Sequence, residues 1–324
     1  MGHDTDLRVL GQRRAGQPSP LEGITPSPPA HRLYIHIPFC FHKCHYCDFY
    51  SIVDNRDRQG AFTDRLIREL DALAPLAGPL RSIFVGGGTP TLLAPPLWER
   101  LLAHLRERFD LSLIDAGSGE FTVECNPETA TSDLFAILRT GGVNRLSIGA
   151  QSFNTTHLKT LERWHDPANV PKALELGEQA GIPHRSIDLI YAIPGQTLDD
   201  WRTDLETAIA LPIDHVSAYN LTYEPNTAMT ARLRAGQFTP TDEDIEIEMF
   251  ELTGALLRDA GFDRYEVSNY ARAAGECDHN LGYWRQDQWL AAGPSASGHF
   301  AGNRWKNVPR LDDYLAPSDS GFPP

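Results

Sequence analysis

The spacing of apolar residues changes regularly between residues 31 and 221. Short apolar runs predict strands at 33–37, 82–85, 121–124, 146–149, 187–191 and 215–221. Between these runs, apolar residues recur every three or four positions, which predicts helices at 58–73, 97–109, 133–138, 155–161, 167–180 and 198–210. Strands that alternate with helices form parallel sheets. Six such units are fewer than the eight that close a barrel, so we expect an α/β fold with an open, partial (β/α)6 TIM-like barrel.

The same pattern divides the chain into three regions. Residues 1–30 carry Pro-rich runs without apolar periodicity, so we expect a disordered N-terminal tail. The barrel then covers 31–238. In 239–324 the alternation stops, and an acidic helix at 241–260 and a strand at 264–268 precede a Gly- and Trp-rich end. We expect this last segment to form a small C-terminal α+β region.

Composition excludes several classes of protein. The 324 residues have a formal net charge of −14, which disfavours binding to phosphate backbones, so we expect no nucleic-acid partner. No apolar run reaches 18 residues, so we expect no integral membrane segment, and residues 1–30 contain no signal-type apolar segment. Five cysteines are too few for a disulfide-stabilised secreted protein. We therefore expect a reducing, cytoplasmic location.

Three of the five cysteines lie in one short loop directly after the first predicted strand. Cys40, Cys44 and Cys47 have the spacing CxxxCxxC, at a position where barrels carry their chemistry. Three thiolates can hold three corners of an iron–sulfur cubane and leave the fourth iron open. Zinc is the alternative, because nearby histidines could complete a closed four-ligand shell. The histidines concerned are His36, His42 and His45. A zinc-stabilised barrel hydrolase is therefore one functional hypothesis.

Other strand ends also carry candidate binding residues. The second strand runs into three glycines and Thr89, where the backbone can approach a ligand closely, although glycines also simply end strands. Glu124 ends the third strand, and its carboxylate suits hydroxyl or ammonium groups. Asp188 lies within a buried-type strand, where an acid needs a partner, and Arg163 could supply the charge. The alternative is that Arg163 is exposed to solvent at the end of a helix, where it would have no such role.

Five segments, in this order, resemble one branch of the radical S-adenosylmethionine (radical SAM) superfamily. The resemblance lies in 34–40, 85–91, 123–127, 146–153 and 187–191, and it extends over about 33–305. The branch contains the oxygen-independent coproporphyrinogen III oxidases and the HemW-type haem chaperones. The resemblance implies a [4Fe–4S] cluster on Cys40, Cys44 and Cys47.

The resemblance also implies binding sites for SAM. Backbone groups of the glycine stretch and the Glu124 carboxylate would hold one SAM, and two tyrosines would line the sites. A second SAM is implied by the oxidases in this branch. The residues concerned are Tyr34, Tyr46, Gly87, Gly88, Thr89 and Glu124, with Gln151, Arg163 and Asp188 for the second SAM.

Two departures favour the chaperone branch. The oxidases carry a further cysteine two residues after the third cluster cysteine, and here that position is Phe49. Residues 279–284 match the HNxxYW pattern of the chaperones, with His279 at its start. The resemblance thus implies a protein that binds haem as cargo and transfers it to haem-accepting proteins. Coproporphyrinogen III oxidase, a radical SAM decarboxylase, is the alternative.

His279 is the candidate axial ligand of haem iron. We expect a helical turn to bring Tyr283 onto its face, and Asp278 to accept a hydrogen bond from its second ring nitrogen. On residue types alone, the segment could equally be core packing. The sequence ends earlier than the family's C-terminal domain. The sequence does not identify the acceptor protein or the catalytic residues. Cleavage of SAM and the oligomeric state, for which a homodimer is one possibility, are also open.

Overall fold

The computed structural model describes residues 8–9 and 28–316. Its strands are β1 (Arg8–Val9), β2 (Ala30–Ile37), β3 (Ala77–Gly87), β4 (Glu120–Cys125), β5 (Arg145–Gln151), β6 (His184–Tyr191), β7 (His215–Asn220), β8 (Asp263–Arg264), β9 (Asn269–Ala271), β10 (Leu290–Ala292), β11 (Ser297–Phe300) and β12 (Asn303–Lys306). Its helices are α1 (Gln59–Leu73), α2 (Pro95–Arg108), α3 (Ser112–Asp115), α4 (Ser132–Thr140), α5 (Thr155–Thr160), α6 (Asn169–Gln179), α7 (Leu198–Ile209), α8 (Ala228–Arg234), α9 (Glu243–Asp259), α10 (Asp278–Trp284) and α11 (Leu311–Leu315). None of these helices is long and apolar enough to cross a membrane.

All six predicted barrel strands form, and each lies beside its successor. Strands β2 to β7 pair in chain order and in parallel, in one nine-stranded sheet of order β10-β2-β3-β4-β5-β6-β7-β9-β8. Strand β10 pairs in parallel with β2 at one edge, and β9 pairs antiparallel with β7 at the other. The prediction of an open, partial barrel is confirmed, because β10 and β8 do not meet.

Alternate residues of these strands face two different environments. The apolar positions, such as Ile35, Val85 and Ile187, are fully buried in the main core with the helices. The positions between them are polar in most strands and face inward, as with Glu124 and Asp188. The barrel is therefore held by its outer apolar layer, while its interior is a polar space.

Of the strand predicted at 264–268, only residue 264 lies in a strand, at the end of β8. Strands β8 and β9 are a short antiparallel hairpin, and these residues make most of its turn. The Tyr265 N–H donates to the carbonyl of Asn269 at 3.2 Å, and the Ser268 N–H donates to the Glu266 carboxylate at 3.0 Å. The apolar Val267 that suggested a strand is 58% exposed at this turn. Local hydrogen bonds thus outweigh its β propensity.

Helix α10 closes one end of the barrel. The buried Glu120 carboxylate accepts the N–H groups of Asp278 and His279 at 2.8 and 3.2 Å and pairs with Arg145 at 3.1 Å. Arg32 from β2 binds the Asp278 carboxylate at 2.7 Å. The expected hydrogen bond from the His279 ring to Asp278 is therefore wrong, because the Asp278 carboxylate binds Arg32 and Arg81 instead.

The predicted tail lies mostly outside the described residues. Within it, Arg8–Val9 pairs in parallel with β12, and residue 30 already belongs to β2. The boundary predicted at residue 239 stays a prediction. Strands from both sides of that boundary share the nine-stranded sheet.

The C-terminal segment is tied to α1 by one buried carboxylate. Glu69 accepts the Gly293 N–H at 2.9 Å, the Asn307 amide at 2.6 Å and the Tyr314 hydroxyl at 2.6 Å. Glu69 is 2% exposed. Three donors separated by many residues therefore depend on one acceptor.

We predict that Glu69→Ala lowers the free energy of unfolding by about 3 kcal/mol, because three buried donors lose their acceptor. Urea denaturation followed by circular dichroism measures the change. Glu99→Ala, on the exposed face of α2, is the control and should stay within about 0.5 kcal/mol of the unsubstituted protein. Equal effects of the two substitutions would contradict the role given to Glu69.

Candidate functional site

The cysteine loop is closed by backbone hydrogen bonds. The Cys40 N–H donates to the Ile52 carbonyl, and the Ile52 N–H donates to Pro38, both at 2.8 Å. The Cys47 N–H donates to the Cys44 carbonyl at 3.3 Å, which makes a tight turn between these two thiols. The three thiols thus come from one loop whose two ends are held together.

Two donors point at these thiols. The Thr89 hydroxyl lies 3.7 Å from the Cys40 sulfur, and a guanidinium nitrogen of Arg163 lies 3.8 Å from the Cys44 sulfur. Burial raises the pKa of the Cys40 and Cys47 thiols, that of Cys47 to about 11, while Thr89 and Arg163 act in the opposite direction on Cys40. Cationic and hydroxyl donors favour bound thiolates, so the donor set fits a thiolate-held cluster. In the part of the chain that the structure describes, no three His, Cys, Asp or Glu side chains stand in position for a single metal ion.

The barrel interior holds a cavity of about 210 Å³, which we call the barrel cavity. Its wall includes Tyr34, Glu124, Asp188 and His279. Arg145 and Asn280 also line it, and each has a buried nitrogen without a hydrogen-bond partner among the described residues. Buried polar groups of this kind are normally satisfied by water or a ligand. The cavity is therefore built for a polar occupant.

Two carboxylates in the barrel cavity have raised pKa values. Burial, together with the nearby charge of Asp188, raises the pKa of Glu124 to about 7. Burial raises the pKa of Asp188 to about 6, although the Ser147 hydroxyl donates to it at 3.0 Å. Arg163 lowers both values through its charge but forms no ion pair with either acid. Arg163 is thus a neighbour of Asp188, and not its direct partner as the sequence suggested.

The glycine stretch contacts Glu124 directly. The Gly87 N–H donates to the Glu124 carboxylate at 3.0 Å, and Gly87 has a φ of +110°, which disfavours other residues. A methyl group on Gly86 would lie 2.8 Å from the same carboxyl carbon. The side chain of Glu124 therefore reaches the end of β3 because Gly86 lacks a Cβ, whereas a Cβ on Gly87 would meet the His36 ring.

Gln151 and Tyr46 lie near Arg163. A Cβ on Gly149 would meet Gln151 and Arg163 at 2.8 and 2.9 Å, so both side chains cover this glycine. Burial raises the pKa of Tyr46, and the charge of Arg163 lowers it. The predicted site residues thus form a continuous group from the cysteine loop into the barrel cavity.

His279 is fully enclosed. One ring nitrogen lies 2.9 Å from the Ser82 hydroxyl, and the other lies 3.0 Å from the Tyr283 hydroxyl. Burial lowers the pKa of His279 to about 3. The predicted helical pairing of His279 with Tyr283 is confirmed. Both ring nitrogens are occupied, so coordination of iron would require one of these bonds to break.

A second, larger cavity of about 620 Å³ is lined by residues of β2, the cysteine loop, α10 and the C-terminal strands, and is called the outer pocket. It is lined by Phe49 from the cysteine loop, by Tyr283 and Trp284 from α10, and by Arg304 and Lys306 from β12. Tyr34 and Tyr283 line both cavities. The two cavities therefore share a wall of tyrosine side chains.

Comparison with known proteins places this arrangement in a family. Residues 34–208 match the Radical SAM superfamily. The haem chaperone HemW of Mycobacterium tuberculosis (strain ATCC 25618 / H37Rv) is 38% identical over 304 residues, which span 92% of this chain and 77% of that protein. HemW of Escherichia coli (strain K12) is 39% identical over 269 residues, spanning 82% and 69%. This chain belongs to the HemW haem chaperone family.

The fold of this chain is also similar to that of a solved enzyme. Coproporphyrinogen III oxidase (HemN) from Escherichia coli, described as a radical SAM enzyme, aligns with a TM-score of 0.76 and 26% identity. The alignment covers 89% of this chain and 69% of the oxidase. The partial-barrel architecture of this HemW relative is thus confirmed from a solved structure.

Sequence reasoning missed several lining residues of this HemW-family chain. Ser147 and Ser217 line the barrel cavity, and their signal was available, because both are polar positions that alternate with apolar ones in buried strands. Trp289, Arg304 and Lys306 line the outer pocket and had no such signal. They lie in short C-terminal strands without a clear period.

We predict that the cluster-free protein becomes less stable as pH rises from 6.5 to 8. Folding raises the pKa of Glu124 and Asp188, so the folded state binds more protons than the unfolded state, and stability falls as these acids ionise. Relative to Glu124→Gln/Asp188→Asn, the loss should be about 1 kcal/mol. Urea midpoints across this range measure it.

The difference between the two proteins isolates the acids. The buried histidines, His36, His215 and His279, have lowered pKa values and act in the opposite direction below about pH 6.5, but they are common to both proteins. Parallel pH profiles for the two proteins would show that the carboxylates ionise normally.

Proposed function

We propose that this protein binds haem as cargo and transfers it to haem-accepting proteins, on a scaffold that holds a [4Fe–4S] cluster and SAM. The observation that carries the proposal is the relationship to curated haem chaperones over nine-tenths of the chain. The absence of the oxidase cysteine at Phe49 supports the same conclusion.

Cys40, Cys44 and Cys47 would hold the cluster. Three thiolates leave one iron without a protein ligand, and when bound with SAM such a cluster supplies one-electron reduction. Thr89 and Arg163 donate toward two of the sulfurs, which stabilises negative charge on the loop. The cluster proposal rests on this donor set and on membership of the superfamily.

The barrel cavity would hold SAM beside the cysteine loop. The Glu124 carboxylate suits the ammonium or ribose hydroxyls of SAM, and the backbone of Gly87 and Gly88 can approach its methionine part. Raised pKa values in Glu124 and Asp188 mean that a cation would be bound with release of protons. Tyr34 lines this space and Tyr46 lies near Arg163, while Gln151, Arg163 and Asp188 are the candidates for a second SAM.

We predict that replacing Cys40, Cys44 and Cys47 together by Ala abolishes the brown chromophore and acid-labile sulfide after anaerobic reconstitution. Iron and sulfide analysis and absorption spectra measure the loss. Sulfide also separates a cluster from zinc. The matched control is Cys125→Ala/Cys277→Ala, because both thiols are buried and Cys277 donates to Glu120 at 3.2 Å instead. Full iron and sulfide in the triple variant would refute the assignment.

The alternative function is oxygen-independent coproporphyrinogen III oxidation. The structural likeness to HemN supports it. Against it stands Phe49, which occupies the position of the oxidases' additional cysteine and is 62% exposed at the outer pocket. The role of His279 as an iron ligand stays a prediction. The hydrogen bonds of its two ring nitrogens oppose that role.

We predict that the reconstituted protein binds haem and does not convert coproporphyrinogen III to protoporphyrinogen under anaerobic reduction with SAM. Haem titration and product analysis are run on the same sample, with a coproporphyrinogen oxidase as the positive control. The reason is that the oxidase cysteine is replaced by Phe49. Sustained decarboxylation without haem binding would exchange the proposed function for the alternative.

A further inference from the structure

We infer that the outer pocket is the haem-binding site, with the porphyrin plane against Trp284 and its carboxylates at Arg304 and Lys306. The inference rests on the proposed haem function and adds the location and the mode of recognition. It assigns the main contacts to the porphyrin ring and its propionates, and not to an iron bond with His279.

The size and lining of the outer pocket suit a flat aromatic ligand. Its volume of about 620 Å³ lies in the range of small-molecule and cofactor sites. Phe49 on one side is 62% exposed, and Trp284 on another is 56% exposed. Two large aromatic side chains at one concave surface are costly to leave in water and mark a binding site.

The pocket also carries a fixed aromatic inner wall. Trp289 is 7% exposed, and its ring lies edge-on to Tyr283 with centroids 4.7 Å apart. The Trp289 indole N–H donates to the Ser297 carbonyl at 2.8 Å. The Tyr283 hydroxyl is held by His279 at 3.0 Å. His279 thus acts as a positioning residue, which fixes the tyrosine shared by the two cavities.

Two cations stand at one edge of this pocket. Arg304 and Lys306 are two residues apart on β12, so their side chains project from the same face, while Trp305 between them is buried. The Arg304 guanidinium lies 5.6 Å from the Trp289 ring centroid. Neither side chain has a salt bridge or side-chain hydrogen bond to any residue within 28–316. In a protein of net charge −14, two adjacent cations that have no ionic partner among the described residues, beside an aromatic surface, form a local site for an anionic ligand.

Haem has the matching chemistry. Its ring is flat and apolar, and its two propionates leave from one edge. The ring can therefore lie against the aromatic surface while the two propionates reach the two adjacent cations. Asp48 is the opposing charge on the pocket wall, and it comes from the cysteine loop. A carboxylate there would repel the propionates and so favours their placement at β12 over the reverse orientation.

The test compares three probes on the anaerobically reconstituted full chain: haemin, metal-free protoporphyrin IX, and protoporphyrin IX dimethyl ester. Quenching of tryptophan fluorescence and the Soret band give the dissociation constants. Arg304→Glu/Lys306→Glu should weaken protoporphyrin IX binding by about tenfold, because two charge contacts become repulsive. The dimethyl ester should bind equally to both proteins, since it has no carboxylates.

The matched control is Arg139→Glu/Arg258→Glu, which makes the same change in net charge on exposed helix positions outside the pocket. It should bind all three probes as the unsubstituted protein does. Trp284→Ala truncates a largely exposed side chain and should weaken all three probes, the ester included. Circular dichroism confirms that each variant is folded.

The outcomes separate the two proposals. If the unsubstituted protein fails to bind haemin, the proposed haem function fails, and the pocket assignment fails with it. If it binds haemin while both pocket variants bind protoporphyrin IX like the control, haem binding stands and the outer pocket is the wrong site. A loss of more than about a hundredfold on removal of iron would also overturn the inference, since the main anchor would then be an axial ligand such as His279.

Discussion

The rest of the structure depends on the need to satisfy polar groups inside a barrel from which bulk water is largely excluded. Apolar positions of β2 to β7 bury the outer layer of the sheet, and the pleat then forces every second side chain inward. Glu120 shows how this interior is stabilised, because its carboxylate joins Arg145 to the N–H groups at the start of α10. Removal of either Glu120 or Arg145 would leave the other charge buried without an ionic partner.

The same constraint creates the candidate site. The Glu120 charge has protein partners, but Arg145 and Asn280, which line the barrel cavity, each keep a buried nitrogen without a partner among the described residues. Glu124 and Asp188 line the same cavity, and burial raises the pKa of both. Their raised pKa values show that the protein provides less stabilisation of negative charge there than water would. A cationic ligand would restore that stabilisation. Arg163 is a neighbour both of these acids and of the Cys44 sulfur, so the charges of the cysteine loop and of the barrel cavity act on a common region.

The sequence predicted the barrel well because its strands are buried on a regular period. The spacing of apolar residues and the residue types at strand ends are both local features, so they can be recognised in the sequence. The strand predicted at 264–268 is wrong over 265–268, since the turn there is set by local hydrogen bonds and not by the apolar Val267. The predicted hydrogen-bond partner of Asp278 was also wrong. Its actual partner, Arg32, lies 246 residues away in the sequence, and only the folded sheet brings it close.

The outer pocket could not be found from sequence for the same reason. Its wall combines residue 49, the helix at 278–284 and strand β12, which no local pattern connects. Once folded, Tyr34 and Tyr283 separate this pocket from the barrel cavity by a single layer of side chains. Any occupant of one cavity that moves Tyr283 must therefore disturb its bond to His279 and change the wall of the other. Cargo binding and cofactor binding would then be coupled through packing at this layer, with no need for a change in the sheet.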